Sequence, residues 1–423
     1  MSRRVPAAWW LAGLALALRA GWLWYRWHAS GAALEFPDEE LHWQLARNLV
    51  ATGTLVTDDG RYAARMPLYP LFLSVFATMG TMGVLAAKLA QAVIGAVTAL
   101  LAYRWAHAAA GPRAALAAGV LVALDPFAVF FANVLLSETL FTALLLALML
   151  ATWRVTAAPA AGAWLSLALL GPAVVLTRPS AAALVPLVWL VVWRAAVRTP
   201  HASAGPAAER TPPVAWGPRS TASRVGLCLA AFAAALLPWG LRNQAVLGAP
   251  AWLSTNGGVT LYDALGPQAE GRSDQAFLQS MPELNGLDEV QRDRVLTRLA
   301  LDEMRREPLR VLRLGAVKFL RTWNPWPNVA EYRAGVAASA GAVYTVVVAL
   351  GAVVATARAG WSTRRLFTAL WLPVLYFTLV HFIYIGSVRY RVPLLPLVAV
   401  AASAVIARRD RFAAPHATLY DES

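Results

Sequence analysis

The sequence predicts an all-α polytopic membrane protein, and three observations carry that prediction. Apolar residues make up 59% of the 423 residues and charged residues only 14%, against about 45–50% and 25% in a soluble domain. The apolar residues gather into runs close to the roughly 20 residues that a bilayer-spanning helix needs. Arginines punctuate the runs, and a net charge of +14 fits the excess of positive charge in cytoplasmic loops. This composition excludes an ordinary soluble enzyme and a disordered chain. It also excludes a porin-type barrel, whose strands alternate in polarity. No soluble basic fold is visible to serve nucleic acid. The single cysteine, Cys228, forms no internal disulfide and leaves the redox compartment open.

Ten spans follow in order: 6–24, 84–106, 114–131, 135–153, 160–177, 181–197, 225–241, 335–357, 366–385 and 392–407. Arg3 and Arg4 place the N-terminus in the cytoplasm. Ten crossings then put Arg113, Arg154, the loop from Arg194 to Arg224, the group Arg358, Arg364 and Arg365, and the tail with Arg408, Arg409 and Arg411 on the same side. A signal peptide is the alternative for the first run, with small residues near Ala20 and Ser30 for cleavage. The interruption by Arg19 and the parity of the loops favour an uncleaved span. The stretch 67–80 is short and opens with Pro67 and Pro70, so it reads as re-entrant or juxtamembrane. Two long segments, 25–83 and 242–334, lie outside. Residues 308–323 interleave Leu309, Leu312, Val317 and Leu320 with Arg310, Arg313, Lys318 and Arg321, the pattern of an interfacial helix. Trp323 and Trp326 mark the headgroup level. Residues 199–223 are rich in Pro, Ala, Ser and Arg and read as a flexible connector. The chain divides into a transmembrane module with its first outer loop (1–241), an outer segment (242–334), and C-terminal spans with a cytoplasmic tail (335–423).

Candidate chemistry gathers at the outer ends of the spans. Asp38-Glu39-Glu40 follows Pro37 directly after span one and opens a short helix over 38–50, with Leu41, Leu45 and Leu49 on its apolar side. Taken locally, Asp38 caps this helix and the two glutamates complement its dipole; the alternative is an acidic reaction centre. Ser137-Glu138 sits between apolar runs, either wetted at a turn or facing a cavity. Arg65, Lys88, Arg178, Arg242, Arg389 and Arg391 also fall on the outer side, where the positive-inside rule gives them no reason to be. Each alone is explained by snorkelling to headgroups. Together with the acids they suggest a phosphate-bearing lipid, because guanidinium pairs with phosphate through two parallel hydrogen bonds. Asn256-Gly257-Gly258 reads as a tight turn. Six scattered histidines show no metal spacing, and neither a phosphate-binding loop nor a dinucleotide fingerprint is present. A divalent cation held by the acids at 38–40 together with a donor phosphate stays open.

The order of these motifs resembles the GT-C glycosyltransferases of the dolichyl-phosphate-mannose protein mannosyltransferase type (glycosyltransferase family 39-like), a group that also contains the bacterial aminoarabinose transferases of lipid A. The matching features are Asp38-Glu39, Ala46-Arg47-Asn48-Leu49 with Gly53, and Arg65-Met66-Pro67-Leu68-Tyr69-Pro70. They continue with Leu136-Ser137-Glu138-Thr139, Leu176-Thr177-Arg178-Pro179, Pro238-Trp239 with Arg242-Asn243, Ser254 to Gly258, and Arg389-Tyr390-Arg391-Val392-Pro393. The resemblance implies a GT-C fold whose first periplasmic loop carries juxtamembrane helices. It implies an inner-membrane enzyme that inverts the anomeric centre of a polyprenyl-phosphate sugar on the outer face. Asp38 would act as base with Glu39 beside it. Arg65, with Lys88, Arg242, Arg389 and Arg391, would contact the donor phosphate. His42, Tyr69, Glu138 and Arg178 would face the acceptor or the sugar. Leu41-His42 stands where aminoarabinose transferases have Arg-Tyr, so their donor is not implied. The acceptor is open among protein, lipid and glycan. A transporter or flippase for a polyprenyl phosphate or other anionic lipid is the rival reading, and an envelope scaffold a third.

Overall fold

The computed structural model of the protein describes residues 7–157, 160–197, 218–358 and 364–406. Among these, every regular element is helical. In chain order the helices are α1 (Ala7–Ser30), α2 (Pro37–Thr52), α3 (Leu68–Ala77), α4 (Gly80–Ala110), α5 (Pro112–Leu124), α6 (Pro126–Phe131), α7 (Glu138–Ala157), α8 (Ala161–Thr177) and α9 (Leu184–Val197). They continue with α10 (Pro218–Leu247), α11 (Gly257–Leu265), α12 (Phe277–Ser280), α13 (Glu289–Arg306), α14 (Pro308–Trp323), α15 (Val336–Arg358), α16 (Arg364–Ile383), α17 (Val388–Arg391) and α18 (Leu395–Ser403). The all-α, multi-pass membrane class is therefore met. Each of the ten predicted runs falls largely on helix, but among the described residues six segments qualify as spans by length and composition alone: Gly80–Ala110, Glu138–Ala157, Ser220–Leu247, Val336–Arg358, Leu366–Ile383 and Val388–Ile406. Arg3, Arg4, residues 199–217 of the connector predicted over 199–223, and the tail arginines Arg408, Arg409 and Arg411 lie outside the described residues; the rest of that connector, 218–223, is the start of α10.

One apolar core runs through the bundle, from Ala15 on α1 to Leu397, Val398 and Ala399 on α18. Its alanines explain the close packing of α4 and α5. Ala99 and Ala102 face Ala114 and Ala118, all fully buried, and small residues let helix backbones approach without a large side chain between them.

Three predicted elements differ in detail. The third run is broken at Asp125, because Pro126 disfavours helical geometry in the residue before it. Asp125 then caps α6, accepting from the backbone N–H groups of Phe127 (2.9 Å) and Ala128 (3.2 Å). The break frees carbonyls at the end of α5, and Arg19 answers them. Its guanidinium donates to Val122 O (3.2 Å) and Ala123 O (3.3 Å) from within α1, so this arginine ties two helices together rather than interrupting a span. The fourth run starts as helix only at Glu138; residues 132–137 are irregular. The stretch after Pro67 forms the 10-residue helix α3. At about 1.5 Å per residue it is roughly half the thickness of a hydrocarbon core. It packs on α2 and α4 through Tyr69, Leu73, Trp43, Ala46 and Val84.

Helix α14 is amphipathic as predicted. Val311, Leu314 and Gly315 are buried, while Leu309, Leu312, Phe319 and Leu320 are exposed. Lys318 is not on the polar face: it is fully buried and donates to Ile383 O at 2.6 Å.

Candidate active site

Asp38 does not cap α2. The helix starts at Pro37, whose missing N–H costs nothing in the first turn, and Phe36 occupies the capping position in extended geometry. The amides there are taken by Glu39, whose Oε2 accepts from Glu35 N (2.8 Å) and Phe36 N (3.2 Å). Its Oε1 accepts from Leu135 N at 2.7 Å. Glu39 thus pins the entry of α2 to the irregular stretch before α7. Burial pushes its carboxyl up, while those amides and the charge of Lys88 oppose the rise. The predicted stripe of Leu41, Leu45 and Leu49 is displaced as well. The buried face is Glu39, His42, Trp43, Leu45 and Ala46, because α2 lies across α3 rather than on a flat surface.

With the cap supplied by other groups, the Asp38 carboxylate is free to pair with cations. Its Oδ1 accepts from Arg65 Nη2 and its Oδ2 from Arg389 Nη1, both at 2.6 Å. Arg389 reaches from α17 and also donates through Nε to Glu138 Oε1. The same Oε1 accepts from Arg178 Nη2 at 2.6 Å, and Arg178 Nε donates to Ser137 Oγ at 3.0 Å. The result is a chain of five charges, Arg65–Asp38–Arg389–Glu138–Arg178, drawn from five separate segments. Three guanidiniums face two carboxylates, so the cluster holds an uncompensated positive charge. Glu138 is completely buried, and its Oε2 has no partner. The wetted-turn reading of Ser137-Glu138 is therefore excluded. Burial pushes the Asp38 carboxyl up, but Arg389 and Arg65 outweigh it and hold it well below the usual carboxylate range.

His42 and Tyr69 lie behind this chain. Their rings meet edge to face at 4.9 Å. Tyr69 donates to Gln91 Oε1 (2.8 Å), and Gln91 in turn donates to Ala132 O (3.2 Å) and Val134 O (2.8 Å). Tyr69 is thereby fixed as a wall. His42 Nδ1 is buried without a partner. Burial and the nearby charge of Arg65, with Arg389 and Arg178, push His42 down to about 3, against the pull of Asp38. The unfolded chain therefore binds a proton that the folded one refuses, from the ordinary value of 6.5 downward. Stability contributed by neutral His42 is full above that value and is lost as the pH falls. His42→Leu should accordingly narrow the difference in melting temperature between pH 7.5 and pH 5. Equal pH sensitivity in wild type and variant would show that His42 is not held neutral.

The other predicted phosphate contacts are placed elsewhere. Arg391 is fully buried, donates to the carbonyls of Thr322 and Asn324 and to Thr345 Oγ1 (3.2 Å), and covers the Phe127 ring at 4.6 Å. It clamps the end of α14 against α15. Arg242 donates to the carbonyls of Tyr62 (2.6 Å) and Leu55 and to Asn243 Oδ1 (2.8 Å), which ties α10 to the segment before α3. Lys88 is buried on α4, where its charge acts on Glu39. None of the three lines the large cleft. These positions correct the expectation that all the outward arginines converge. Backbone carbonyls in loops and at helix ends compete for guanidinium, and sequence does not show which carbonyls will be left free.

Asp38, Arg65 and Arg389 line a cleft of about 990 Å³. One wall is apolar, with Trp22 and Leu18 from α1, Phe127 and Phe130 from α6, and Ala338 and Gly341 from α15. Polar lining comes from Asn256, Thr260, Arg272, Ser273, Gln275 and Arg321. Sequence reasoning assigned neither Arg272 nor Arg321 to a site. Gln91 was missed too, although a lone amide inside an apolar run was a usable signal. The acids at 38–40 do not fit a divalent ion. Both Asp38 oxygens are taken by guanidiniums, Glu39 is taken by amides, and Glu40 faces Arg47 at 3.4 Å.

Residues 64–208 match a family model described as dolichyl-phosphate-mannose-protein mannosyltransferase. The resemblance expected from the motif order is thus met over a segment that includes Arg65, Tyr69, Glu138 and Arg178. No curated protein matches the chain. Among solved structures, the chain is similar to ArnT from Cupriavidus metallidurans bound to undecaprenyl phosphate. The identity is 16%, with 94% of this chain and 76% of that chain covered and a TM-score of 0.40. It is also similar to the oligosaccharyltransferase AglB from Archaeoglobus fulgidus in complex with an inhibitory peptide and a dolichol-phosphate. There the identity is 13%, the coverage 94% of this chain and 49% of that chain, and the TM-score 0.46.

Proposed function

We propose that this protein is an integral-membrane glycosyltransferase that moves a sugar from a polyprenyl phosphate to an acceptor hydroxyl on the outer side of the bilayer, with inversion at the anomeric carbon. The observation that carries the reading is Asp38 held between Arg65 and Arg389 at a cleft lined by both apolar and polar residues. The family match over residues 64–208 supports the reaction class. The apolar wall suits a prenyl chain, and the arginines suit the phosphate to which that chain is joined.

The reaction asks little of the protein. The acceptor oxygen forms a bond to the anomeric carbon as the bond from that carbon to the phosphate oxygen breaks. The electron pair leaves on the phosphate, where Arg65 and Arg389 stabilise the growing charge. The acceptor proton passes to Asp38. In the resting site Asp38 is a poor base because both its oxygens are paired. A donor phosphate draws the same two guanidiniums toward itself, which weakens their hold on Asp38 and raises its basicity. Donor binding would thereby prepare the base.

The test is to give the detergent-purified protein a panel of polyprenyl-phosphate sugars and measure release of free polyprenyl phosphate. Release from one donor with transfer of its sugar is the expected result. Translocation of intact lipid in liposomes, with no release from any donor and acceptor pair, would instead support a transporter.

A further inference from the structure

The polar lining of the cleft holds two guanidiniums that the proposed reaction does not use. Arg321 lies on α14, and among the described residues no carboxylate pairs with it. Its Nε donates to Gly386 O at 3.2 Å. The amide of Gly386 donates in turn to Gly271 O at 3.3 Å, immediately before Arg272. One residue, Gly386, therefore ties both segments together: its carbonyl holds Arg321 and its N–H holds the carbonyl just before Arg272. The packing is close: a Cβ on Gly386 would overlap the Lys318 backbone, and one on Gly271 would press on Val317. Arg272 is largely exposed and pairs with Glu270, also exposed, at 3.2 Å. Burial and the like charges of Arg272 and Arg333 push the Arg321 guanidinium down from its ordinary value. Like charges gathered on a cleft wall are costly until an anion joins them.

The contrast with the Asp38 centre gives these arginines their meaning. Arg65 and Arg389 are already matched by carboxylates, whereas Arg321 is matched by none. Ser273, Gln275, Asn256 and Thr260 line the same cleft and supply neutral hydrogen-bonding groups.

We infer that Arg321 and Arg272 form an oxyanion subsite in the polar lining of the cleft, one that takes a phosphate group separately from the Arg65–Asp38–Arg389 centre. This rests on the transfer reading for its use: the donor carries one phosphate, which that reading places at Arg65 and Arg389, so the subsite takes a phosphate borne by the acceptor or free in solution. Planar guanidiniums provide paired donors to it.

The experiment measures binding, so it needs no turnover. Wild type, Arg321→Gln, Arg272→Gln and Arg321→Lys, each purified as the full chain in neutral detergent, are titrated with inorganic phosphate and with undecaprenyl phosphate. Size-exclusion elution and melting temperature check that each variant is folded. Because Arg272 is exposed, its variant tests the site without disturbing packing. The two glutamine variants should weaken binding of inorganic phosphate roughly tenfold, the effect of losing a charge-assisted hydrogen bond, with undecaprenyl phosphate bound as by wild type, and Arg321→Lys should retain part of the phosphate binding. A loss confined to inorganic phosphate assigns the subsite to an acceptor-borne or free oxyanion. An equal loss with undecaprenyl phosphate would make the two arginines part of the donor site and overturn a separate subsite. Binding of both probes at wild-type strength by both glutamine variants would overturn the subsite, as would a folded wild type that binds neither. Wild type that binds as expected yet transfers no sugar would instead overturn the transfer reading alone.

Discussion

Asp38→Asn should leave a folded protein that binds polyprenyl phosphate but transfers sugar at least about a hundredfold more slowly, the lower range for loss of a general base. The side chain is isosteric and partly exposed, so folding should survive. The binding arm is the more informative. In the wild type, Asp38 competes with the donor phosphate for Arg65 and Arg389 at 2.6 Å each. A neutral amide releases both guanidiniums, so undecaprenyl phosphate should bind at least as tightly as to wild type. Weaker binding would mean that Asp38 organises the arginines rather than competing with the phosphate. Undiminished turnover would remove Asp38 from the role of base. Asp38→Glu, with the charge kept and the reach changed, should fall between the two.

Glu138→Ala should be the most destabilising single change in the site. The carboxylate is fully buried and holds Arg178 and Arg389, themselves mostly buried. Its removal leaves two guanidiniums facing each other away from water. Breaking a buried ion pair in this way costs about 3–5 kcal/mol. Thermal melting in detergent should show a large drop, and Glu138→Gln, which keeps shape and one acceptor, a smaller one. A Glu138→Ala protein that melts like wild type would mean that water reaches the site and screens the arginines. That result would also weaken the case for Arg389 as a group held in place for a phosphate.

The two experiments separate roles that sequence reasoning had grouped together. Asp38 and Glu39 are adjacent acids in the same motif, and both were expected at the reaction centre. In the structure one faces two arginines and the other three amides. Neighbours on a helix point about 100° apart, so adjacent acids rarely share a site. Arg389 and Arg391 divide the same way, one lining the cleft and the other sealed under Phe127.

What the sequence determined by itself was set by quantities that add along the chain. Apolar run length fixes helical membrane segments because an unpaired peptide group in hydrocarbon is too costly for any open structure. Amphipathic spacing was enough to mark α14, and a pair of prolines enough to keep α3 short. The presence of acids and arginines between those runs was legible too, since charge is expensive there and demands a reason. Tertiary structure alone decided which charges meet. Asp38, Arg65, Glu138, Arg178 and Arg389 span some 350 positions of sequence and become one cluster only when α2, α7 and α17 pack together. Arg242 and Arg391 look the same in sequence but were drawn to backbone carbonyls, Arg242 to those of the loop before α3 and Arg391 to those at the end of α14, and Arg272 and Arg321 came to the cleft through a glycine that a sequence gives no reason to notice. Helix formation depends on neighbours in the chain, whereas a guanidinium takes whichever acceptor the finished packing leaves nearest.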